Sequence, residues 1–228
     1  MRKEFKVGVL VSGRGSNLQA LIDKVHNKTF KHVNSQRVKI SVVVVISDRE
    51  KAYALERARK AGIEALWMNP KIFETREDYD LAVAEKLKKR KVDLVVLAGY
   101  MRIVSPAFLK EFPDAVINIH PALLPAFPGL HGQRQAIEYG VRVSGCTVHF
   151  VDEGVDTGPP IIQVPVQVKN GDDEDSLARR ILKREHQALP KAVKLIATGR
   201  VKKMGRKVIV LESALKEKLR DVATSLWI

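Results

Sequence analysis

One cysteine, Cys146, occurs in 228 residues, which excludes an intramolecular disulfide and a cysteine-rich metal centre. Aromatic residues make up only 6% of the chain. No basic helix interleaved with stacking aromatics is visible, the combination that single-stranded nucleic-acid modules use. No apolar run approaches the roughly 20 residues that a membrane-spanning helix needs. The apolar stretch 7–12 is too short for a signal-peptide core. Internal repeats and low-complexity linkers are also missing. The expectation is a cytoplasmic protein forming one domain over 1–228, without a membrane partner.

What is present is enough apolar sequence, 45%, to bury a full core. The formal net charge is +14. Its cations are scattered, as in Arg57-Ala58-Arg59-Lys60, Arg179-Arg180 and residues 202–207, and are interleaved with Asp and Glu. That pattern reads as a solvated surface able to steer small anionic substrates rather than as a nucleic-acid footprint.

Strand and helix patterns alternate, which predicts an α/β three-layer sandwich with a mostly parallel twisted sheet. Strands are expected at 6–12, 38–47, 64–68, 92–98 and 115–119, and helices at 16–26, 51–61 and 76–90. The Val-rich segment 38–47 is apolar throughout and belongs inside the sheet. In the helix at 76–90, Tyr79, Val83 and Leu87 share one face. Residues 143–152 and 161–168 alternate polar and apolar, predicting antiparallel edge strands in the C-terminal half. The acidic run 172–175 suits the start of a long helix over 176–198 better than a metal site. Residues 30–37 read as a surface loop, and 208–228 as a strand and helix appended at the edge. The halves divide into about 1–100, Rossmann-like and phosphate-binding, and about 101–210, with 211–228 as a C-terminal extension.

Two motifs carry chemistry. Asn118-Ile119-His120-Pro121-Ala122-Leu123-Leu124-Pro125 follows a buried strand, and Asp156-Thr157-Gly158 comes some thirty residues later. An amide can polarise a carbonyl, an imidazole can exchange protons near neutral pH, and a carboxylate can orient the imidazole. In open α/β sheets such groups gather beyond the carboxyl ends of strands. The second motif, Ser12-Gly13-Arg14-Gly15-Ser16-Asn17-Leu18, joins the first strand to the first helix. Glycines permit the tight turn, and the first helical amides make an anion site. Leu18 stands where a dinucleotide fingerprint wants glycine, so phosphate-monoester binding is the better reading. Asp48, at the end of the second strand, can mimic a ribose-binding acid or simply form a turn. His149 and His131 are lesser candidates, His149 as a half-buried strand residue and His131 on a substrate-side loop. Cys146 reads as a core thiol.

Gly15-Ser16-Asn17, Gly99-Tyr100-Met101-Arg102-Ile103-Val104, the Asn118–Pro125 segment and Asp156-Thr157-Gly158-Pro159 resemble the motifs of the phosphoribosylglycinamide formyltransferase family. The resemblance spans about residues 7–210, with the motifs in order. It implies folate-dependent formyl transfer in purine synthesis, with 10-formyltetrahydrofolate as co-substrate and no metal. By the same resemblance Asn118, His120 and Asp156 are catalytic, and Gly15, Ser16, Asn17 and Glu185 hold the phosphoribosylglycinamide. Arg76, Met101, Arg102, Ile103, Val104, Asn118, Asp152, Glu153, Gly154, Val155 and Asp156 line the folate pocket. Taken without the resemblance, Glu185 and Arg76 read as solvated helix positions. Gln133 stands where some family members carry a second histidine. The implied partners are small molecules, on a monomer or homodimer. Formyltetrahydrofolate deformylase shares the triad but uses water in place of the amine. Methionyl-tRNA formyltransferase needs a further C-terminal β-barrel domain. A basic nucleic-acid-binding α/β protein is the non-enzymatic rival.

Overall fold

The computed structural model describes residues 4–211. Its first strand, β1 (Glu4–Val11), lies in the middle of the main sheet, and Val7, Val9, Leu10 and Val11 are all buried. Apolar side chains on both faces require cover on both faces, and helices provide it. After β1 the chain forms α1 (Ser16–Lys24), then β2 (Lys28–Lys31) and β3 (Arg37–Ser47). Next come α2 (Tyr53–Lys60), β4 (Glu64–Trp67) and α3 (Arg76–Lys89). The second half runs β5 (Leu94–Leu97), α4 (Pro106–Glu111), β6 (Val116–His120), α5 (Gly132–Tyr139), β7 (Val143–Phe150), β8 (Pro160–Gln167) and α6 (Glu174–Ala197).

The main sheet has the order β2-β3-β1-β5-β6-β7-β8, with β4 also paired to β3. Four pairings are parallel: β1 with β3, β1 with β5, β3 with β4 and β5 with β6. The β6–β7 and β7–β8 pairings are antiparallel, as the alternating sequence at 143–168 predicts. Strand order reverses at β1, whose neighbours are β3 and β5. Ligands in such sheets bind beyond the carboxyl ends at that switch point. The loops after β1 and β5 meet there, where the Met101 N–H donates to Ser12 Oγ at 2.9 Å.

Two cores flank the sheet. One packs α1, α2 and α6 residues such as Leu18, Leu55 and Leu189 against β1 and β3. The other holds Tyr79, Val83 and Leu87 of α3, together with Phe108, against the opposite face. The face predicted for α3 is therefore the buried one.

The structure corrects the edges of the sequence reading. Residues 30–37 are not simply a loop, because Phe30 and Lys31 complete β2, which pairs antiparallel with β3 as a hairpin. A polar strand can be added at an edge without apolar cover, so the hydrophobic pattern gives no sign of it. At the other end, β9 (Val201–Met204) and β10 (Lys207–Val210) form a separate two-stranded sheet instead of extending the main one. The helix expected toward residue 228 lies outside the described residues. No helix among the described residues is long and apolar enough to cross a membrane.

Candidate active site

Side chains two apart on a strand share a face, so Asn118 and His120 point the same way from the carboxyl end of β6. The antiparallel register sets Asn118 opposite His149 and His120 opposite Thr147. Cross-strand partners also share a face, which brings His149 into the site as a fully buried residue. The expectation of a half-buried strand histidine is corrected by that register. Asp156 arrives from the loop between β7 and β8 with a left-handed backbone, φ 55°. Two residues on, a Cβ at Gly158 would lie 1.7 Å from the Phe150 carbonyl oxygen. Only glycine lets the loop pass this close to β7, and that approach carries Asp156 over the end of β6.

One carboxylate organises the cluster. Asp156 Oδ2 lies 3.1 Å from His120 Nδ1 and accepts the Gly129 N–H at 2.9 Å. Its Oδ1 accepts from Asn118 Nδ2 at 3.2 Å and lies 3.4 Å from His149 Nε2. His149 Nδ1 faces the carbonyl of Phe150 at 2.9 Å, so that nitrogen donates, and Nε2 lies 3.4 Å from Asn118 Nδ2. His120 Nε2 donates to the Phe127 carbonyl at 2.7 Å. Burial opposes charge on Asp156. The hydrogen bonds with His120, His149 and Gly129 outweigh that penalty and hold its carboxyl well below the usual carboxylate range. The group is a fixed anion at neutral pH.

The glycine loop sits beside this cluster. Gly15 precedes α1 with φ 70°, and a Cβ there would meet Ala54 Cβ at 2.6 Å and its Cα at 2.8 Å. Close packing of Gly15 on Ala54 of α2 therefore demands glycine, and the first amides of α1, like those of any helix, have no helical acceptors. Asn17 is buried, and its Nδ2 donates to Glu185 Oε2 of α6 at 2.7 Å. Glu185 is thus no solvated helix position. Burial raises its carboxyl pKa, and the bond from Asn17 and the proximity of His120 offset this only in part. Cys146 is a buried core thiol, pushed up to about 12 by burial and by nearby Glu185.

The loop expected to contact folate follows β5. Met101 is 60% and Ile103 51% exposed, whereas Val104 is buried in the α3-side core. The guanidinium of Arg102 lies 4.9 Å from the ring centre of Tyr79. In the loop carrying Asp156, Val155 is exposed, and Asp152 Oδ1 accepts from Thr157 Oγ1 at 2.5 Å and from the Gly154 N–H at 3.3 Å. Glu153 is exposed. Arg76 begins α3, apart from the triad, and lines a cavity of about 520 Å³ with Arg102. His131 caps the start of α5, exposed and 3.4 Å from Glu174, outside the cluster. No group of three or more His, Cys, Asp or Glu placed to hold a metal occurs among the described residues.

Sequence reasoning missed two participants, the Phe127 carbonyl and the Gly129 amide, and took His149, a lesser candidate, as only half-buried. Backbone groups leave no trace in residue identity.

Residues 5–193 match the family described as formyl transferase. The chain is 43% identical over 198 residues to phosphoribosylglycinamide formyltransferase of Escherichia coli (strain K12), covering 87% of this chain and 90% of that one. It is 49% identical over 198 residues to the trifunctional purine biosynthetic protein adenosine-3 of Drosophila melanogaster, covering 87% of this chain. The chain spans only 14% of the length of that trifunctional relative. The crystal structure of glycinamide ribonucleotide transformylase 1 from Symbiobacterium toebii superposes with a TM-score of 0.85 at 50% identity, covering 93% of this chain and 96% of that chain. With the fold shared and most of the chain matched, the chain belongs to the formyl transferase family.

Proposed function

We propose that this protein transfers the formyl group of 10-formyltetrahydrofolate to the amine of 5-phosphoribosylglycinamide, a step of purine synthesis. The observation that carries the reading is the shared carboxylate. Asp156 holds His120 through one oxygen and Asn118 through the other, at 3.1 and 3.2 Å, one loop away from a helix start suited to phosphate. Relatives named phosphoribosylglycinamide formyltransferase, alike over most of the chain, support it.

The amine lone pair attacks the formyl carbon, and the carbonyl electrons move onto oxygen. Asn118 Nδ2 and His120 Nε2 are the donors for that oxyanion, each worth about 3–4 kcal/mol when well placed. For this, His120 Nε2 exchanges the Phe127 carbonyl for the developing oxyanion. Collapse of the intermediate breaks the bond from carbon to N10. The amine gives up a proton and N10 gains one, with His120 or a water as carrier. No covalent enzyme intermediate is involved.

Gly15, Ser16 and Asn17 hold the phosphate, and Glu185 the ribonucleotide. Met101, Arg102, Ile103 and Val104 line the folate side together with Asp152, Glu153, Gly154 and Val155, and Arg76 lies near its tail. The setting is the cytosol, with small anionic molecules as partners.

The test follows release of tetrahydrofolate from 10-formyltetrahydrofolate with and without phosphoribosylglycinamide. Release only with the ribonucleotide, and formyl on its amine, supports transfer. Equal release without it overturns the reading in favour of hydrolysis.

A further inference from the structure

The basic run 202–207, which the charge pattern assigns to a solvated surface, contains the tip of the β9–β10 hairpin. The two strands pair from Val201 with Val210 to Met204 with Lys207, which leaves a two-residue turn, Gly205-Arg206. Such turns need a positive φ at their first position, and Gly205 supplies it with φ 59°. Arg206 is thereby set at the outermost point of the hairpin. The base is fixed, because Val201, Val208 and Val210 pack against the core that holds Leu189 and Val193 of α6. The Leu211 N–H also donates to the Arg200 carbonyl at 2.8 Å. The hairpin lies beyond residues 5–193, the stretch matched to the family.

From that tip the guanidinium crosses to the loop that carries Asp156. Its Nη2 donates to the Thr157 carbonyl at 2.8 Å, and its Nη1 lies 4.0 Å from Asp152 Oδ2. Thr157 and Asp152 are tied to each other by the 2.5 Å bond from Oγ1 to Oδ1. Arg206 therefore spans both ends of the turn that lifts Asp156 over β6. Among the described residues, it makes the one hydrogen bond from outside the loop to the backbone of 153–158. Asp156 has φ 55°, a conformation that a residue with a side chain keeps only where its surroundings impose it. Its carboxylate must meet His120, Asn118 and Gly129 at once, at 3.1, 3.2 and 2.9 Å. A backbone shift of about 1 Å would break that set.

We propose that Arg206 is a positioning residue for the reaction, holding the peptide after Asp156 so that the carboxylate keeps His120 and Asn118 aligned. Its part in turnover rests on the transfer reading above. Arg206 touches no reacting group and acts through Asp156. Its side chain is 76% exposed, so its effect is that of one hydrogen bond in competition with water, not of a buried ion pair. Lys203 of β9 offers the contrast. It pairs with Asp114, and its Nζ lies 5.7 Å from the ring centre of Phe150, so it fastens the same hairpin at another point.

The experiment makes Arg206→Ala and Lys203→Ala, each alone and combined with Asp156→Asn. Arg206→Ala lowers kcat about fivefold to tenfold, the scale of one hydrogen bond, and leaves KM for phosphoribosylglycinamide unchanged. Lys203→Ala lowers Tm without that loss of kcat. The double-variant cycle is read by denaturant midpoints at pH 7. Asp156→Asn costs less midpoint in the Arg206→Ala background than in the wild type, because part of what the aligned carboxylate contributes is already gone. In the Lys203→Ala background its cost is undiminished.

A kcat close to wild type in Arg206→Ala overturns the proposal. So does an equal fall of kcat in Lys203→Ala, or an Asp156→Asn cost that is the same with and without Arg206. Absence of turnover in the wild type overturns the transfer reading instead. The midpoint cycle needs no turnover, and it still decides whether Arg206 holds Asp156.

Discussion

Asn118 and His149 stand directly opposite one another across the antiparallel β6–β7 pair, with Asn118 Nδ2 and His149 Nε2 3.4 Å apart. Both also reach Asp156 Oδ1, at 3.2 and 3.4 Å. His149 therefore supports the amide and the carboxylate of the proposed mechanism without facing the reacting carbon. It acts as a positioning residue. His149→Ala should lower kcat by on the order of ten- to a hundredfold, the cost of a small misplacement of catalytic groups. KM for both substrates should change little. A kcat within twofold of wild type would remove His149 from this role.

His120→Ala removes a donor and a proton carrier at once. Its kcat should fall by on the order of a hundred- to a thousandfold, with an unchanged circular dichroism spectrum. Activity near the wild-type level would exclude His120 from the chemistry.

Asp156→Asn should cut turnover to a similar extent and also change the acid limb of stability. The folded carboxyl lies below its ordinary value of 3.8, because its hydrogen bonds outweigh burial. A depressed folded pKa stabilises the protein above the unfolded value, and that stability is lost as pH falls through the folded one. The variant should thus be less stable than wild type at pH 7. The gap should narrow as pH falls below 3.8, as read by denaturant midpoints. A gap that stays constant with pH would contradict the ionised, hydrogen-bonded carboxylate.

Glu185 carries the opposite sign. Burial raises its pKa above 4.5, so its contribution is complete below that value and is lost as pH rises through the folded pKa. Glu185→Gln escapes that loss while retaining an oxygen for Asn17. The variant should have a higher Tm than wild type at pH 8, converging with it toward pH 4.5. Its KM for the ribonucleotide should rise on the order of tenfold through loss of a charge-assisted bond. A Tm at pH 8 at or below that of wild type would show that the buried carboxyl carries no ionisation penalty.

Gly15→Ala tests the packing of the phosphate loop. The added methyl collides with Ala54 at 2.6 Å while φ stays at 70°. A cost of roughly 1–3 kcal/mol is expected, together with a raised KM for the ribonucleotide. Asn17→Ala should raise the same KM with kcat largely kept. Unchanged kinetics in both variants would argue against this loop as the phosphate site.

The main sheet was legible because its strands are apolar on both faces. The runs at 38–47, 92–98 and 115–119 can be stable only between two helical layers. The hairpin strand β2 and strand β9 were not legible, since short polar strands bury too little to leave a periodic signal, whereas the strand expected from residue 208 is β10, paired with β9 rather than with the main sheet.

For the site, residue type and local spacing determined the chemistry: an amide and an imidazole two residues apart on one strand face, and glycines before a helix. Those are local facts, fixed by the period of the strand and by the missing Cβ. Three matters were decided by tertiary structure. The β6–β7 register turned His149 from a bystander into a partner of Asp156. The packing of α6 on α1 buried Glu185 against Asn17 across 168 positions of sequence. The fold also gathered Asp48, Lys71, Arg76 and Arg102, which belong to separate segments, around one cavity. Each depends on the distance between groups far apart in the chain, and distance is what sets hydrogen bonding, desolvation and charge interaction.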